Sequence, residues 1–283
     1  PCEVLIQSQD RVLAELIAQC VSQEVWRIED KYSRYDPFSI CSQINTSEGQ
    51  KITIDEETHL LLNVAEQCYR LSDGLFDISS GVLRKIWSFS GTSSNNDMNS
   101  RFPNSTDVND VLKYVGWEKI VYDTNSIVLP KNMELDFGGI GKEYAVDRSI
   151  LLVKQLTGLP ILVNLGGDLA VTGARLNNQA WQVAIEHPDS DAIGQQQDMI
   201  IALNQGALAT SGDARRYIIK EGLRYGHVLN AKTGWPITHA PRSITTVAPQ
   251  CIQAGILATL ALLQGDNAEN FLTEQDITFW ARR

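Results

Sequence analysis

The chain has 283 residues, of which 43% are hydrophobic and 20% are charged, a composition typical of a globular protein with a sizeable core. Lys and Arg number 24 against 34 Asp and Glu, which gives a formal net charge of -10. Nucleic acid is therefore not an expected partner, because phosphate contacts need clustered basic residues. No apolar run reaches the roughly 18 residues of a transmembrane helix, so none is expected.

The first part of the chain is predicted to be mainly helical. Apolar residues at helical spacing predict helices over 11–31 and 56–71, and a third helix beginning near Ser79. The polar stretch 91–106 is predicted to be a mobile loop, with a short helix at 107–115 after it. In the second predicted helix, Leu60, Leu61, Val64, Ala65 and Cys68 are expected to face inward.

Strand patterns dominate the rest of the chain. A hairpin is predicted at 120–129, a strand at 135–137 and a helix at 142–156. Helices are also predicted near 252–264 and 267–274. The further predicted strands lie in PILVNLGGDLAVTG, WQVAIEH, MIIALN, RYIIK, YGHVLN, SITTVA and ITFWA. Helices early and strands late predict an α+β protein, read as a single domain over 1–283, rather than alternating βαβ units.

The five cysteines are Cys2, Cys20, Cys41, Cys68 and Cys251. None has C-x-x-C spacing, so a zinc site is not expected. An odd number slightly favours a reducing compartment, and no signal peptide is visible, but the compartment stays open.

The segment ELDFGGIGKEYAVD (134–147) combines glycines, a carboxylate and a lysine ahead of a predicted helix. Glycines let the backbone approach a ligand closely, and a helix N-terminus favours anions. Lys142 suits a phosphate, and Asp136 suits a ribose, a ring N–H or a metal. A tight strand-to-helix turn with a solvated lysine explains the same residues structurally.

Other polar segments also end predicted strands or helices, where loops can converge on one cleft. NLGGD is interpreted as a glycine bulge within a strand. TSGD either places two hydroxyls and a carboxylate around a glycine at the cleft or forms a turn with local side-chain hydrogen bonds. His227, within a predicted strand, is either a structural histidine or a general base with a near-neutral pKa. Tyr35 is either a surface aromatic or a platform on which a flat ring stacks.

Together, these motifs resemble the ApbE family of FAD:protein FMN transferases over nearly the whole chain. The similar segments are SRYDPFSICSQIN, GLFDISSGVL, LDFGGIGKEYAVD, LVNLGGDLAVTG, ATSGD and HVLNAKTG. The resemblance implies a T-fold-like α+β architecture, with mixed or antiparallel sheets and helices packed on one side. It implies transfer of FMN from FAD to a Ser or Thr of an acceptor flavoprotein, with AMP released and Mg²⁺ at the pyrophosphate. Some members mainly hydrolyse FAD to FMN and AMP.

The resemblance also implies roles for individual residues. His227 is similar to the proposed base for the acceptor hydroxyl. The carbonyl of Gly139 and the side chain of Thr259 match metal-ligand positions. Tyr35 is similar to a tyrosine that packs on the flavin ring. The cofactor-binding positions are Tyr35, Leu75, Phe76, Asp77, Asp136, Lys142 and Leu229.

One departure from the family pattern concerns the metal. Gly255 stands where the family has an aspartate, four residues before Thr259. Loss of a carboxylate is expected to weaken Mg²⁺ binding. Glu143, which replaces a glycine after Lys142, is expected to point elsewhere and not to compensate.

Three explanations of this departure remain open: a transferase with a weaker or rearranged metal site, a flavin-binding relative with little activity, or an alteration at position 255. A structural or partner-binding domain with an empty cleft is the alternative from another class.

Overall fold

The structure is a computed structural model that describes residues 2–89, 101–186, 199–214 and 216–283. Its helices within these ranges are α1 (Arg11–Tyr32), α2 (Ile40–Asn45), α3 (Glu56–Leu71), α4 (Ser105–Leu112), α5 (Gly141–Leu156), α6 (Cys251–Leu263) and α7 (Ala268–Glu274). The strands are β1 (Cys2–Ile6), β2 (Lys51–Thr53), β3 (Val121–Tyr122), β4 (Ser126–Val128), β5 (Ile161–Leu165), β6 (Asp168–Val171), β7 (Trp181–Ile185), β8 (Met199–Leu203), β9 (Gly206–Gly212), β10 (Tyr217–Lys220), β11 (Leu223–Gly226), β12 (Ser243–Ala248) and β13 (Phe279–Arg282).

The central element is a six-stranded sheet in the order β1-β5-β6-β9-β12-β13. All five of its strand pairs are antiparallel. The first and last strands of the described chain thus form its two edges. This architecture confirms the predicted α+β class with antiparallel sheets.

The central sheet has an apolar cluster on each face, and side chains that alternate along a strand contribute to one cluster or the other. In β5, Ile161 and Val163 join the helical core, whereas Leu162 joins the cluster on the other face. On the helical face, α6 packs on β9, where Ala207 and Ala209 leave room for a close approach. The β7–β8 hairpin covers the opposite face with Trp181, Val183, Ile201 and Leu203.

The N-terminal helices form a layer outside α5. The Asp10 side chain accepts a hydrogen bond from Leu13 N and so caps α1, which packs along α5. Arg27 of α1 then bonds Glu57 at the start of α3. Leu60, predicted to face inward from α3, is instead 52% exposed, because the buried face of α3 is narrower than the apolar pattern.

Two further local predictions need correction. The segment near Ser79 forms a 3-10 helix, Ile78–Lys85, rather than an α-helix. A Cβ on Gly81 would lie 2.8 Å from Asp136 Cβ, so this position has no room for a side chain. The NLGGD segment is a hairpin turn, not a bulge: Leu165 pairs with Asp168, and the glycines between them have φ of +65° and +101°.

The polar stretch 91–106 is only partly described. Its first ten residues lie outside the described ranges. Beyond them, Arg101 forms a β-bridge with Ser88, the ring of Phe102 packs on Trp87, and α4 begins at Ser105. Among the described helices, none combines the length and apolarity that crossing a membrane requires.

The close β9–β12 contact gives a first prediction. A Cβ on Gly212 would lie 2.3 Å from the Arg242 carbonyl oxygen, so we expect Gly212→Ala to lower the free energy of unfolding by about 1–3 kcal/mol. Urea denaturation measures this change. Gly173→Ala is the matched control, because nothing lies within 4 Å of its added Cβ. Equal unfolding midpoints for the two variants would contradict the expected clash.

Candidate active site

The glycine-rich segment 134–147 forms a turn that leads into α5. The predicted strand at 135–137 is wrong: Phe137–Gly139 is a 3-10 turn, because Asp136 caps it by accepting a hydrogen bond from Gly138 N at 2.9 Å. The other carboxylate oxygen of Asp136 forms an ion pair with Arg34. Asp136 is therefore held at the turn from both sides, which also fits the structural alternative.

Lys142, in the first turn of α5, lies 2.5 Å from the carboxylate of Asp168. Asp168 is 1% exposed, and its other oxygen accepts a hydrogen bond from Thr210 N at 3.0 Å. Burial works against the ammonium form of Lys142, but Asp168 outweighs it and the pKa of Lys142 is raised. Asp168 was not predicted as a site residue, although its place directly after the two glycines of NLGGD was a usable signal.

Glu143 does not point away, and that expectation is wrong. Its side chain is 7% exposed and lies against Gly255 of α6. A Cβ on Gly255 would lie 2.6 Å from Glu143 Cγ and 2.7 Å from Glu143 Oε1. Glu143 therefore fills the space that a side chain at 255 would need, because α5 and α6 pack closely here.

The carboxyl group of Glu143 is electrostatically strained. Burial raises its pKa, and the neighbouring Asp168 carboxylate raises it further, while Lys142 opposes the change. Glu143 Oε2 is buried and has no hydrogen-bond partner among the described residues. A buried oxygen of this kind is costly unless a proton or a cation balances it.

Thr259 lies on α6 one turn after Gly255, with its Oγ1 2.7 Å from Ser211 Oγ of β9. The 3-10 turn Phe137–Gly139 also contacts α6. A Cβ on Gly139 would lie 3.3 Å from the Phe76 ring, which supports the turn. The two predicted metal positions are thus on neighbouring segments, because Gly139 lies on the 3-10 turn that packs against α6 and Thr259 lies on α6 itself.

Asp77 is buried, and each of its oxygens accepts a backbone hydrogen bond. Ser79 N and Trp117 N are the donors, both at 2.8 Å. Burial raises the pKa of Asp77, although these bonds favour the charged form. Asp77 therefore joins two loops, whereas the neighbouring Leu75 and Phe76 pack against the main core. Nucleotide contacts by these residues stay predictions.

Tyr35 is 76% exposed, in the loop between α1 and α2. The Arg34 guanidinium lies 5.1 Å from the centre of its ring and also donates to its hydroxyl at 2.9 Å. An exposed ring held by an arginine fits both the surface alternative and the stacking platform, so the flavin contact stays a prediction.

His227 follows the end of β11 and does not lie inside a strand, because the β10–β11 pairing ends at Gly226. Its backbone N donates to the Arg216 carbonyl at 3.2 Å. Its Nδ1 is buried without a hydrogen-bond partner in the part of the chain that the structure describes. Burial lowers the pKa of His227, and the Arg216 charge lowers it further, which favours a neutral imidazole.

The segment that carries His227 is fixed by Asp213 of the TSGD motif. Asp213 accepts from Arg224 Nε at 2.8 Å and from Arg242 Nε at 2.7 Å. After His227, Leu229 forms a β-bridge with Pro236 and packs in an aromatic cluster. The cofactor contact predicted for Leu229 stays a prediction.

The donor atoms fit a hard divalent cation in kind. Among the described residues, no three His, Cys, Asp or Glu side chains form a metal cluster. A magnesium ion would therefore rely on few carboxylates, with a hydroxyl, a carbonyl and substrate phosphates completing its shell. The unpaired Glu143 oxygen is the observation that favours such an ion.

Comparisons with known proteins agree with the motifs. The ApbE family model matches residues 1–280. A Haemophilus influenzae FAD:protein FMN transferase is 29% identical over 248 residues, which cover 85% of this chain and 70% of the relative. The enzyme of the same name from Vibrio cholerae is 28% identical, with 84% and 70% covered. The crystal structure of the Thermotoga maritima ApbE protein has a TM-score of 0.85 at 26% identity, with 99% of this chain and 94% of that chain covered.

The chain belongs to the ApbE family. Because the relatives are named as transferases, the prediction that it is an enzyme is confirmed.

The hydrogen bonds of Asp77 give a second prediction. We expect Asp77→Asn to lower the free energy of unfolding by about 1–3 kcal/mol, because one buried backbone N–H loses its acceptor. Thermal and urea denaturation without ligand measure this loss. Asp123→Asn is the control, an exposed aspartate that also accepts a backbone hydrogen bond. A purely nucleotide-binding Asp77 would leave the ligand-free stability unchanged.

Proposed function

We propose that this protein transfers the FMN moiety of FAD to a Ser or Thr hydroxyl of an acceptor protein and releases AMP. The observation that carries the proposal is the ApbE family match over residues 1–280. The relatives named FAD:protein FMN transferase support the same substrate. The ammonium group of Lys142, partly exposed in the first turn of α5, suits a pyrophosphate better than a neutral ligand.

The residues divide into those that bind and those that move a proton. Lys142 would contact the pyrophosphate and exchange part of its ion pair with Asp168 for a phosphate oxygen. Thr259 and the carbonyl of Gly139 would hold Mg²⁺. When bound, the metal supplies positive charge that offsets the charge developing on the pyrophosphate. Tyr35 would stack on the flavin.

His227 would take the proton of the acceptor hydroxyl. The hydroxyl oxygen then attacks the FMN phosphorus, forming a phosphoester bond. The bond from this phosphorus to the bridging oxygen breaks, and AMP leaves with that oxygen. A buried, neutral imidazole suits this task, because only the unprotonated form accepts a proton.

A transfer assay tests the proposal directly. The protein is mixed with FAD, Mg²⁺ and a Thr-containing acceptor, and both AMP and the mass increase of the acceptor are measured. We expect equal amounts of AMP and flavinylated acceptor, and His227→Ala should reduce the rate about 10²–10⁴-fold. AMP without a modified acceptor would instead support FAD hydrolysis. FAD binding without AMP release would support a flavin-binding relative. The absence of both FAD binding and AMP release would support a domain with an empty cleft.

The environment of His227 predicts the pH dependence of transfer. Its pKa lies below the ordinary histidine value of about 6.5, so the base stays active as the pH falls to 6.5 and the rate declines only below it. Arg216→Gln removes a neighbouring positive charge, so the pKa of His227 should rise and the rate should begin to fall at a higher pH. A pH profile of AMP release measures the shift. Lys220→Gln, on the same hairpin, is the control, and an identical shift in both variants would contradict a specific effect of Arg216.

A further inference from the structure

The packing of α5 on α6 links the two departures from the family pattern. We propose that Glu143, reaching from α5, supplies the carboxylate ligand that Gly255 of α6 lacks. The inference rests on the proposed function, because the cation meant is the one at the pyrophosphate of FAD. The metal site is thus rearranged and retained.

The geometry that carries this proposal is the contact between Glu143 and Gly255. Ideal Cβ placement at 255 leaves only 2.6 Å to Glu143 Cγ, 2.7 Å to Oε1 and 2.9 Å to Cδ. The Glu143 carboxyl group therefore occupies the position that a short side chain at 255 would take. Glutamate is one methylene longer than aspartate, which suits its reach across the helix interface.

Thr259 is correctly placed relative to this carboxylate. Residues four apart lie on the same face of a helix, so Thr259 follows Gly255 along the face of α6 that Glu143 contacts. Its hydroxyl lies 2.7 Å from that of Ser211, which adds a second neutral oxygen. Together with the carbonyl of Gly139 on the adjoining turn, these are the oxygen donors that a hard divalent cation prefers.

The charges around Glu143 also leave a position for a cation. Lys142 is paired at 2.5 Å with Asp168 and also acts on Glu143, so one ammonium group faces two neighbouring carboxylates. Glu143 Oε2 is buried and has no hydrogen-bond partner within the described ranges. Because an ionised buried carboxylate needs a partner, a divalent cation would complete the cluster.

Metal binding without turnover tests the proposal. Free Mn²⁺ is measured by electron paramagnetic resonance, and FAD affinity is measured with and without Mn²⁺. We expect Glu143→Gln to weaken Mn²⁺ binding and its effect on FAD by about tenfold or more, with metal-free FAD affinity unchanged. The isosteric amide keeps the volume, so the metal-free melting temperature should not fall.

Asp147→Asn is the matched control on the same helix. Asp147 is a half-buried carboxylate that accepts hydrogen bonds from Cys251 N and Ile252 N at 2.8 and 2.9 Å, so it caps α6. Its replacement should lower the melting temperature and leave Mn²⁺ binding intact. A general loss of packing between α5 and α6 would instead weaken metal binding in both variants and overturn a specific role of Glu143.

A reciprocal exchange strengthens the test. Glu143→Gly combined with Gly255→Asp should restore Mn²⁺ binding, whereas Gly255→Asp alone should not improve it, because Glu143 obstructs the new side chain. Unchanged Mn²⁺ binding in Glu143→Gln, or none in the unaltered protein, would overturn the inference. Mn²⁺ binding that depends on Glu143 without any FAD binding would uphold it and overturn the proposed function.

Discussion

The ion pair between Lys142 and Asp168 connects the two halves of the candidate site. It ties the first turn of α5 to the start of β6, and Thr210 N adds β9 to the same carboxylate. Removing the lysine would leave the buried Asp168 carboxylate without its ion-pair partner, which is destabilising. The pair adds to the apolar packing of α5 on the sheet and lies next to Glu143 in the first turn of the helix.

Much of the fold follows from patterns that the sequence shows directly. Helical periodicity places α1 and α3, and the helices predicted at 142–156 and 252–264 match α5 and α6, all within a residue or two. The early helices and late strands give the class. The ordered motifs identify the family. Glycine is less informative: Gly166 and Gly167 tolerate both a bulge and a reversing turn, and only the pairing of β5 with β6 decides between them.

The details of the site could not be predicted because they depend on tertiary packing. Sequence spacing does not tell which face of α5 meets α6, so the direction of Glu143 was assigned wrongly. Asp77 accepts one hydrogen bond locally, from Ser79 N, but its second donor, Trp117 N, lies 40 residues along the chain, which no local motif encodes. Resemblance to the family identifies individual positions well, but it treats each position separately. It does not show that the side chain at 143 fills the space that a side chain at 255 would need.

That shared volume has an evolutionary consequence. If an ancestor carried a glycine at 143 and an aspartate at 255, neither single replacement would give a working site. Glutamate at 143 alone would crowd two carboxylates into one space, and glycine at 255 alone would leave a hole with no carboxylate. On the proposed role of Glu143, the two positions would therefore be epistatic. The hole is the milder intermediate, since water can fill it, so the more accessible route passes through a chain with glycine at both positions.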